Sequence, residues 1–227
     1  AIGPRSSGLA RRHRRGDRAL SDRRRIVRSM GSVGSTTKAT PAAFRRAVAE
    51  LFHAPLRPGA DVVELPSPTQ LAPYTYAVAV TVTAPDDAEA ASGRLVLLHD
   101  PDGVDAWDGT YRIVVFGSCE IDTSMASDAL LPEVAWSWLT ERLAAHRVDY
   151  RALGGTVTIT SSCRFGDIAG PPRIDELELR ASWTAAGPHV GVHLAAFADF
   201  LATAAGLPPV GITAIREQPH PFAGHLS

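Results

Sequence analysis

Residues 74–83, YTYAVAVTVT, alternate without a break. Tyr74, Tyr76, Val78, Val80 and Val82 point one way, and Thr75, Ala77, Ala79, Thr81 and Thr83 point the other. A period of two describes a β-strand with one apolar face and one polar face. Such a strand belongs to a sheet covered on one side only. The same pattern recurs downstream. Arg94 to His99 reads as a second strand and Tyr111 to Ile121 as a third, with Tyr111, Ile113, Val115, Cys119 and Ile121 sharing a face. Gly154-Gly155, read as turn residues, opens a fourth, with Val157, Ile159 and Phe165 inward and Thr156, Thr158 and Thr160 outward. In the fifth, Leu177, Leu179, Ala181 and Trp183 face inward, while Glu176, Glu178, Arg180 and Ser182 face outward. The polar outer faces argue against a sheet sandwiched between helices. Val62 to Leu65, in a Pro-rich connector, can form a short edge strand.

Three helices are expected. Thr40 and Pro41 can start the first, whose Phe44, Val48, Leu51 and Phe52 lie on one face before Pro55 stops it. The second covers about 132–147. At 100° per residue, Ala135, Trp136, Leu139, Leu143 and His146 fall together. Val134 and Trp138 widen that arc, and Arg142 lies inside it. The arc spans roughly 200°, about twice what contact with one sheet requires. The third helix covers about 188–205 and starts at Pro188. Val190, Leu194, Phe197 and Leu201 form its stripe, with Gly206 as a left-handed cap and Pro208-Pro209 beyond. The expected fold is α+β and two-layered. It has a mostly antiparallel five-stranded sheet with helices on one face, in the order α-β-β-β-α-β-β-α.

Charge divides the chain. Residues 1–30 carry ten Arg against Asp17 and Asp22, a net +8; the remainder carries 13 basic against 22 acidic residues, a net −9. The basic segment has almost no apolar residue to bury and no helical stripe. Three readings of it stand: upstream sequence joined by an early start before Met30, a disordered tail, or a basic arm for nucleic acid or anionic lipid. The domain organisation expected is an extension over 1–39, a single globular domain over 40–210 and a loose tail over 211–227. An acidic domain disfavours nucleic-acid binding except through the arm. No apolar run is long enough for a transmembrane helix, and no membrane partner is expected. The two cysteines, Cys119 and Cys163, form no disulfide framework, so the expected compartment is the cytoplasm.

Candidate chemistry is sparse. Asp100, Asp102, Asp105 and Asp108 lie in one loop, HDPDGVDAWDG, and are weak candidates for a divalent cation. The EF-hand pattern fails, because counting from Asp100 puts Asp105 where its glycine belongs. Asp102-Gly103 and Asp108-Gly109 are turn signals, and Trp107 reads as a lid over the sheet edge. His189 and His193 are four apart on the last helix and are weak metal candidates, read first as surface or boundary histidines. His99 beside these aspartates points to the opposite face of its strand. Cys119 and Cys163 read as small core residues. Ser161-Ser162-Cys163 lacks the nucleophile elbow of hydrolases, and no phosphate-loop glycine pattern occurs. No cofactor is expected.

The segments GRLVLLHDPDGVDAWDGTYRIV, LLPEVAWSWLTERL, ALGGTVTITSSCRFG and HLAAFADFLATAAGLPP resemble an actinobacterial family of unknown function, number 3000 in the domain-of-unknown-function series. The resemblance covers about residues 40–210. It implies a cytoplasmic actinobacterial protein and brings no catalytic residue, substrate or cofactor. The element order also resembles the secretion-chaperone-like fold, whose members often dimerise or bind peptide segments. Fold does not determine function. The function expected is a non-enzymatic protein-binding adaptor or chaperone-like module, with a homodimer or a partner protein meeting Val134, Trp136, Trp138 and Arg142. The flat Thr/Ala-rich outer face of the sheet is a second surface for such a partner. The alternative is a small hydrolase or metal-dependent enzyme centred on the Asp100–Asp108 loop, with a pocket there on which His99, the aspartates or the strand-end residues Ser161 and Arg164 converge.

Overall fold

The computed structural model describes residues 40–168 and 170–210. The expectations for the N-terminal extension and the C-terminal tail lie outside these residues. The described chain runs α1 (Ala42–Phe52), β1 (Ala60–Leu65), β2 (Tyr74–Thr83), β3 (Glu89–Val104), a single 3-10 turn (Asp105–Trp107), β4 (Gly109–Ile121), α2 (Thr123–Ala126), α3 (Leu131–Ala145), β5 (Tyr150–Cys163), β6 (Arg173–Ala185) and α4 (Gly191–Ala204). The fold is α+β. Among the described residues the sheet has six strands in the order β1-β2-β3-β4-β6-β5, and every neighbouring pair is antiparallel.

The alternation in the strands fixes which face is covered. Val78, Val80, Val82, Leu95, Leu97, Ile113, Val115, Leu177, Leu179 and Trp183 are fully buried or nearly so and form one core with α1, α3 and α4. In the helix layer, α4 lies over β2, β3 and β4, while α3 packs on α4 and reaches β5. Close approach of α4 depends on Gly93. A Cβ there would sit 2.7 Å from both the Phe197 ring and the Phe116 carbonyl oxygen. The other face of the sheet carries a smaller cluster of Ala77, Val96 and Leu98, covered by Leu65, Ala72 and Trp107. Trp107 thus covers the outer face of β2 and β3, interior strands, and not the sheet edge as expected, and its carbonyl accepts the Thr184 hydroxyl.

Several expectations need correction. The sheet has a sixth strand, because β1 pairs with β2 over its full length, Ala60 with Val82 through Leu65 with Ala77. Its alternation is obscured by Asp61 and Glu64, which an edge strand tolerates and a central strand does not. The extra strand also departs from the element order on which the secretion-chaperone likeness rested. β3 is far longer than Arg94–His99, since polar ends of a hairpin still pair through the backbone. α1 has Pro41 as its cap residue, one position later than expected, and α4 begins at Gly191. Gly154 and Gly155 lie within β5 beside a bulge. A Cβ on Gly155 would come 2.4 Å from the Arg180 carbonyl oxygen, so the glycine permits a close strand approach. Phe165 lies beyond β5 and is 81% exposed, and Cys163 is exposed at the strand end. Period-two extrapolation fails for both because pairing stops at Cys163 with Arg173. The cap at Gly206 is as expected: φ is 71°, and Leu207 N–H donates to the Ala202 carbonyl at 2.9 Å.

The far end of β5 and β6 is held by a polar cluster. Asp175 has a side chain that is almost fully buried. It accepts from Arg173 Nε at 2.9 Å and Nη2 at 2.8 Å, from Thr123 Oγ1 at 2.7 Å and from the Ser161 hydroxyl. The Arg173 guanidinium foremost, then the two hydroxyls, hold this carboxyl well below the usual carboxylate range. Asp175→Ala leaves three donors without their acceptor and detaches α2 from the sheet. The expected outcome is a thermal midpoint several degrees lower, read by circular dichroism, and a larger loss than Thr123→Ala gives. An Asp175→Ala midpoint equal to wild type contradicts this role.

Candidate interaction surface

α3 is built to show two faces. Asp128 Oδ1 accepts the Leu130 N–H at 2.9 Å just before the helix, and proline stands in its first turn. Glu133 lies in the first turn and Arg142 in the last, both favourable to the helix dipole. Leu131, Ala135, Leu139 and Leu143, spaced four apart, form the buried ridge. At helical spacing Trp136 lies on one shoulder of that ridge, and Trp138 and Arg142 lie on the other. Both tryptophans are half-buried against the core. The wide arc is therefore only partly covered. Leu143 is sealed, whereas Val134 is 39% exposed and Leu130 is 60% exposed. Leu130, Val134 and Trp138 follow at i, i+4 and i+8, so they make one apolar stripe along the helix. Exposed acidic residues Asp128, Glu133 and Glu141 flank it. Arg142 Nε is buried without an acceptor at its margin. The C-terminal end of α3 is fixed to α4 by His146 Nε2 and Asp199 Oδ2, 2.7 Å apart.

The residues proposed for chemistry are dispersed. Asp100, Asp102, Asp105 and Asp108 occupy the β3–β4 hairpin, where Asp100 Oδ1 accepts the Asp102 N–H at 3.1 Å. Asp108 has φ 53° and pairs with Arg151 at 3.6 Å. No group of three His, Cys, Asp or Glu side chains among the described residues is arranged to share a metal ion. His99 is buried on the helix side, stacked 4.1 Å from the Tyr111 ring, with Nδ1 2.9 Å from the Thr110 carbonyl oxygen. Ser161 and Arg164 lie at the opposite end of the sheet, separated from the hairpin by roughly 30 Å of strand. These groups therefore do not converge on one pocket.

The two histidines of the last helix also separate. His189 is exposed and sits 2.8 Å from Glu50 Oε1. His193 is only 3% exposed, which corrects its reading as a surface or boundary residue. Trp183 Nε1 donates to His193 Nδ1 at 2.8 Å. An indole can only donate, so this nitrogen carries no proton and is occupied. A shallow depression of about 500 Å³ lies near the other end of β3 and β4, lined in part by Glu89, Ser118, Cys119, Glu120 and Glu176. Burial, with Glu176 in second place, pushes the Cys119 thiol up to about 11, so it is not a ready thiolate.

The family described as Protein of unknown function (DUF3000) matches residues 40–213. The chain belongs to the DUF3000 family. No curated protein and no solved structure matches it. The match begins at the start of α1 and includes every element described, so the DUF3000 domain and the six-stranded fold coincide. No helix among its described residues is long and apolar enough to cross a membrane.

Two features of this DUF3000 domain had no local sequence signal. The Asp175 cluster joins residues from α2, β5 and β6, and only the strand register brings them together. The second is the edge position of β5. Its Val157 and Ile159 point to the helix side yet stay half-buried, and most of its other residues are exposed. Alternation alone cannot say which strand lies outermost.

Proposed function

We propose that this DUF3000 domain is a non-enzymatic protein-binding module. Its recognition surface is the outer flank of α3, and its occupant is a segment of a partner protein that carries apolar residues flanked by Lys or Arg. One observation carries the reading: Leu130, Val134 and Trp138 form an incompletely covered stripe on a helix whose opposite ridge is sealed. Contiguous exposed apolar surface of this kind marks interaction sites. Aromatic anchors such as Trp138 supply most of the binding energy at such sites. The acidic residues Asp128, Glu133 and Glu141 around the stripe match a basic flank on the partner.

The test uses the full chain. Protein captured from a cell extract by wild type is purified and titrated against wild type, Val134→Arg and Trp138→Ala. Val134 is exposed, so Val134→Arg keeps the fold, as circular dichroism should verify. The expected result is at least a tenfold loss of affinity for Val134→Arg, about 1.4 kcal/mol, and a loss of similar size or larger for Trp138→Ala. Equal affinity of all three proteins contradicts the assignment. For the alternative of a small hydrolase or metal-dependent enzyme, no group of three His, Cys, Asp or Glu side chains among the described residues is placed to hold a metal ion.

A further inference from the structure

The two edges of the sheet are treated very differently. β1 is short, contains Asp61 and Glu64, and is bracketed by Pro58 and Pro66. Charges and prolines are the usual means by which an edge is kept from pairing with another chain. β5 runs over 14 residues, contains no proline, and carries no charge after Arg151. From Gly154 onward it follows β6 without a register shift, so the edge is regular as well as long. Among the described residues no strand pairs with its outer side, and an uncharged row of backbone donors and acceptors of this length is a template for strand addition.

The side chains say what kind of strand fits. We infer that β5 pairs antiparallel with β5 of a second copy of this chain, about a two-fold axis through Thr158. Directly opposed residues in an antiparallel pair lie on the same face of the sheet, so a symmetric register must be centred on a residue. Centred on Thr158, the register sets Val157 against the partner's Ile159 and Thr156 against the partner's Thr160. Thr158 then meets the partner's Thr158. Five successive positions are thereby β-branched against β-branched, the pairs favoured across strands. Centring on Val157 sets Ile159 against the partner's Gly155 and wastes that contact. Centring on Ile159 sets Val157 against the partner's Ser161, a residue engaged with Asp175. The Thr158 register also covers the half-buried Val157 and Ile159 on the helix side. The assembly is a continuous sheet of two domains with isologous contacts. This surface is separate from the stripe on α3, and neither requires the other.

Register makes the inference testable by cross-linking. In the full chain with Cys163→Ser, Thr158→Cys brings the two cysteines to about 5 Å between Cα atoms, within disulfide reach. Thr156→Cys places them four residues out of register on each other, about 13 Å apart and out of reach. Mild oxidation with glutathione is expected to give a covalent dimer from Thr158→Cys and none from Thr156→Cys. A mixture of Thr156→Cys and Thr160→Cys chains is expected to give the heterodimer. Light scattering should show a dimer for the wild-type chain and a monomer with an unchanged circular dichroism spectrum for Thr158→Lys, which opposes two cations at the axis. Equal cross-linking of Thr158→Cys and Thr156→Cys overturns the register. A wild-type monomer overturns the dimer, including the case in which hydrogen exchange shows the β5 amides protected by another segment of the same chain. Partner binding by the α3 stripe is read separately, through Val134→Arg, so failure of one assignment is distinguishable from failure of the other.

Discussion

Trp183→Ala destabilises the domain by about 3–5 kcal/mol, the range for removing a large aromatic from a packed core. Trp183 is 0% exposed and lies in β6, facing the helix layer. Its indole ring stacks with His193 at 6.2 Å between centroids, and its Nε1–H is the donor to that imidazole. Truncation leaves a cavity and also strands a buried acceptor, which costs roughly a further 1–3 kcal/mol. For a domain of this size the sum is a large share of total stability, about 5–15 kcal/mol. Because Trp183→Ala can fail to fold, Trp183→Phe provides the second measurement. It keeps most of the volume and removes the donor, so its loss should be at least about 1–3 kcal/mol in a urea titration. A Trp183→Phe protein as stable as wild type contradicts the importance of this hydrogen bond.

The second large effect is a loss of stability in weak acid. Burial lowers the affinity of His193 for a proton, moving its titration from 6.5 to about 4. The neutral ring is also the form that can accept from Trp183. Between these two pH values the unfolded chain binds a proton that the folded chain does not. Stability is therefore full above pH 6.5 and falls as pH drops to about 4, a change of about 3 kcal/mol. Urea titrations at a series of pH values check this, with His193→Leu as the comparison. The wild-type curve should bend downward through that window, and the His193→Leu curve should be flatter there. Asp175 acts lower, since a carboxyl held below its usual range loses its contribution as pH falls through and below 3.8. Parallel wild-type and His193→Leu curves from pH 6.5 to 4 contradict the assignment to this imidazole.

Much of the architecture is legible in the chain because one-sided burial forces a period of two. Tyr74 to Thr83 forms a strand with the expected bounds, and Leu177, Leu179, Ala181 and Trp183 are buried as their spacing requires. The helix ends are legible where a cap has a chemical signature, as at Gly206, and less so where the chain enters α4 through Val190. β1 was obscured because pairing needs only backbone, and Asp61 and Glu64 break the hydrophobic pattern. His193 and Cys163 show the limit of pattern reading in opposite directions. A histidine beside the core stripe is drawn inside because an indole supplies its partner, and a cysteine in phase with Ile159 is exposed because the strand ends there.

The proposed interaction surface was legible only in outline. A helix arc wider than one sheet can cover showed that α3 must meet something more. The fold then divides that excess: Leu143 is sealed and Trp136 and Trp138 are half-covered, while Val134 and Leu130 face solvent. No spacing rule distinguishes these outcomes, because they depend on how far α4 reaches around α3. The aspartate loop illustrates the converse. Its carboxylates are near one another in sequence, but the hairpin commits Asp100 to a turn and Asp108 to Arg151.

A photo-cross-linking side chain placed in the full chain tests the binding assignment most directly. Introduced at Val134, it lies in the exposed stripe of α3; introduced at Asp102, it lies on the exposed β3–β4 hairpin. Irradiation in a native extract should yield a discrete cross-linked partner from Val134, and none from Asp102. Cross-linking from Asp102 with none from Val134 would contradict the account and move the site to the hairpin.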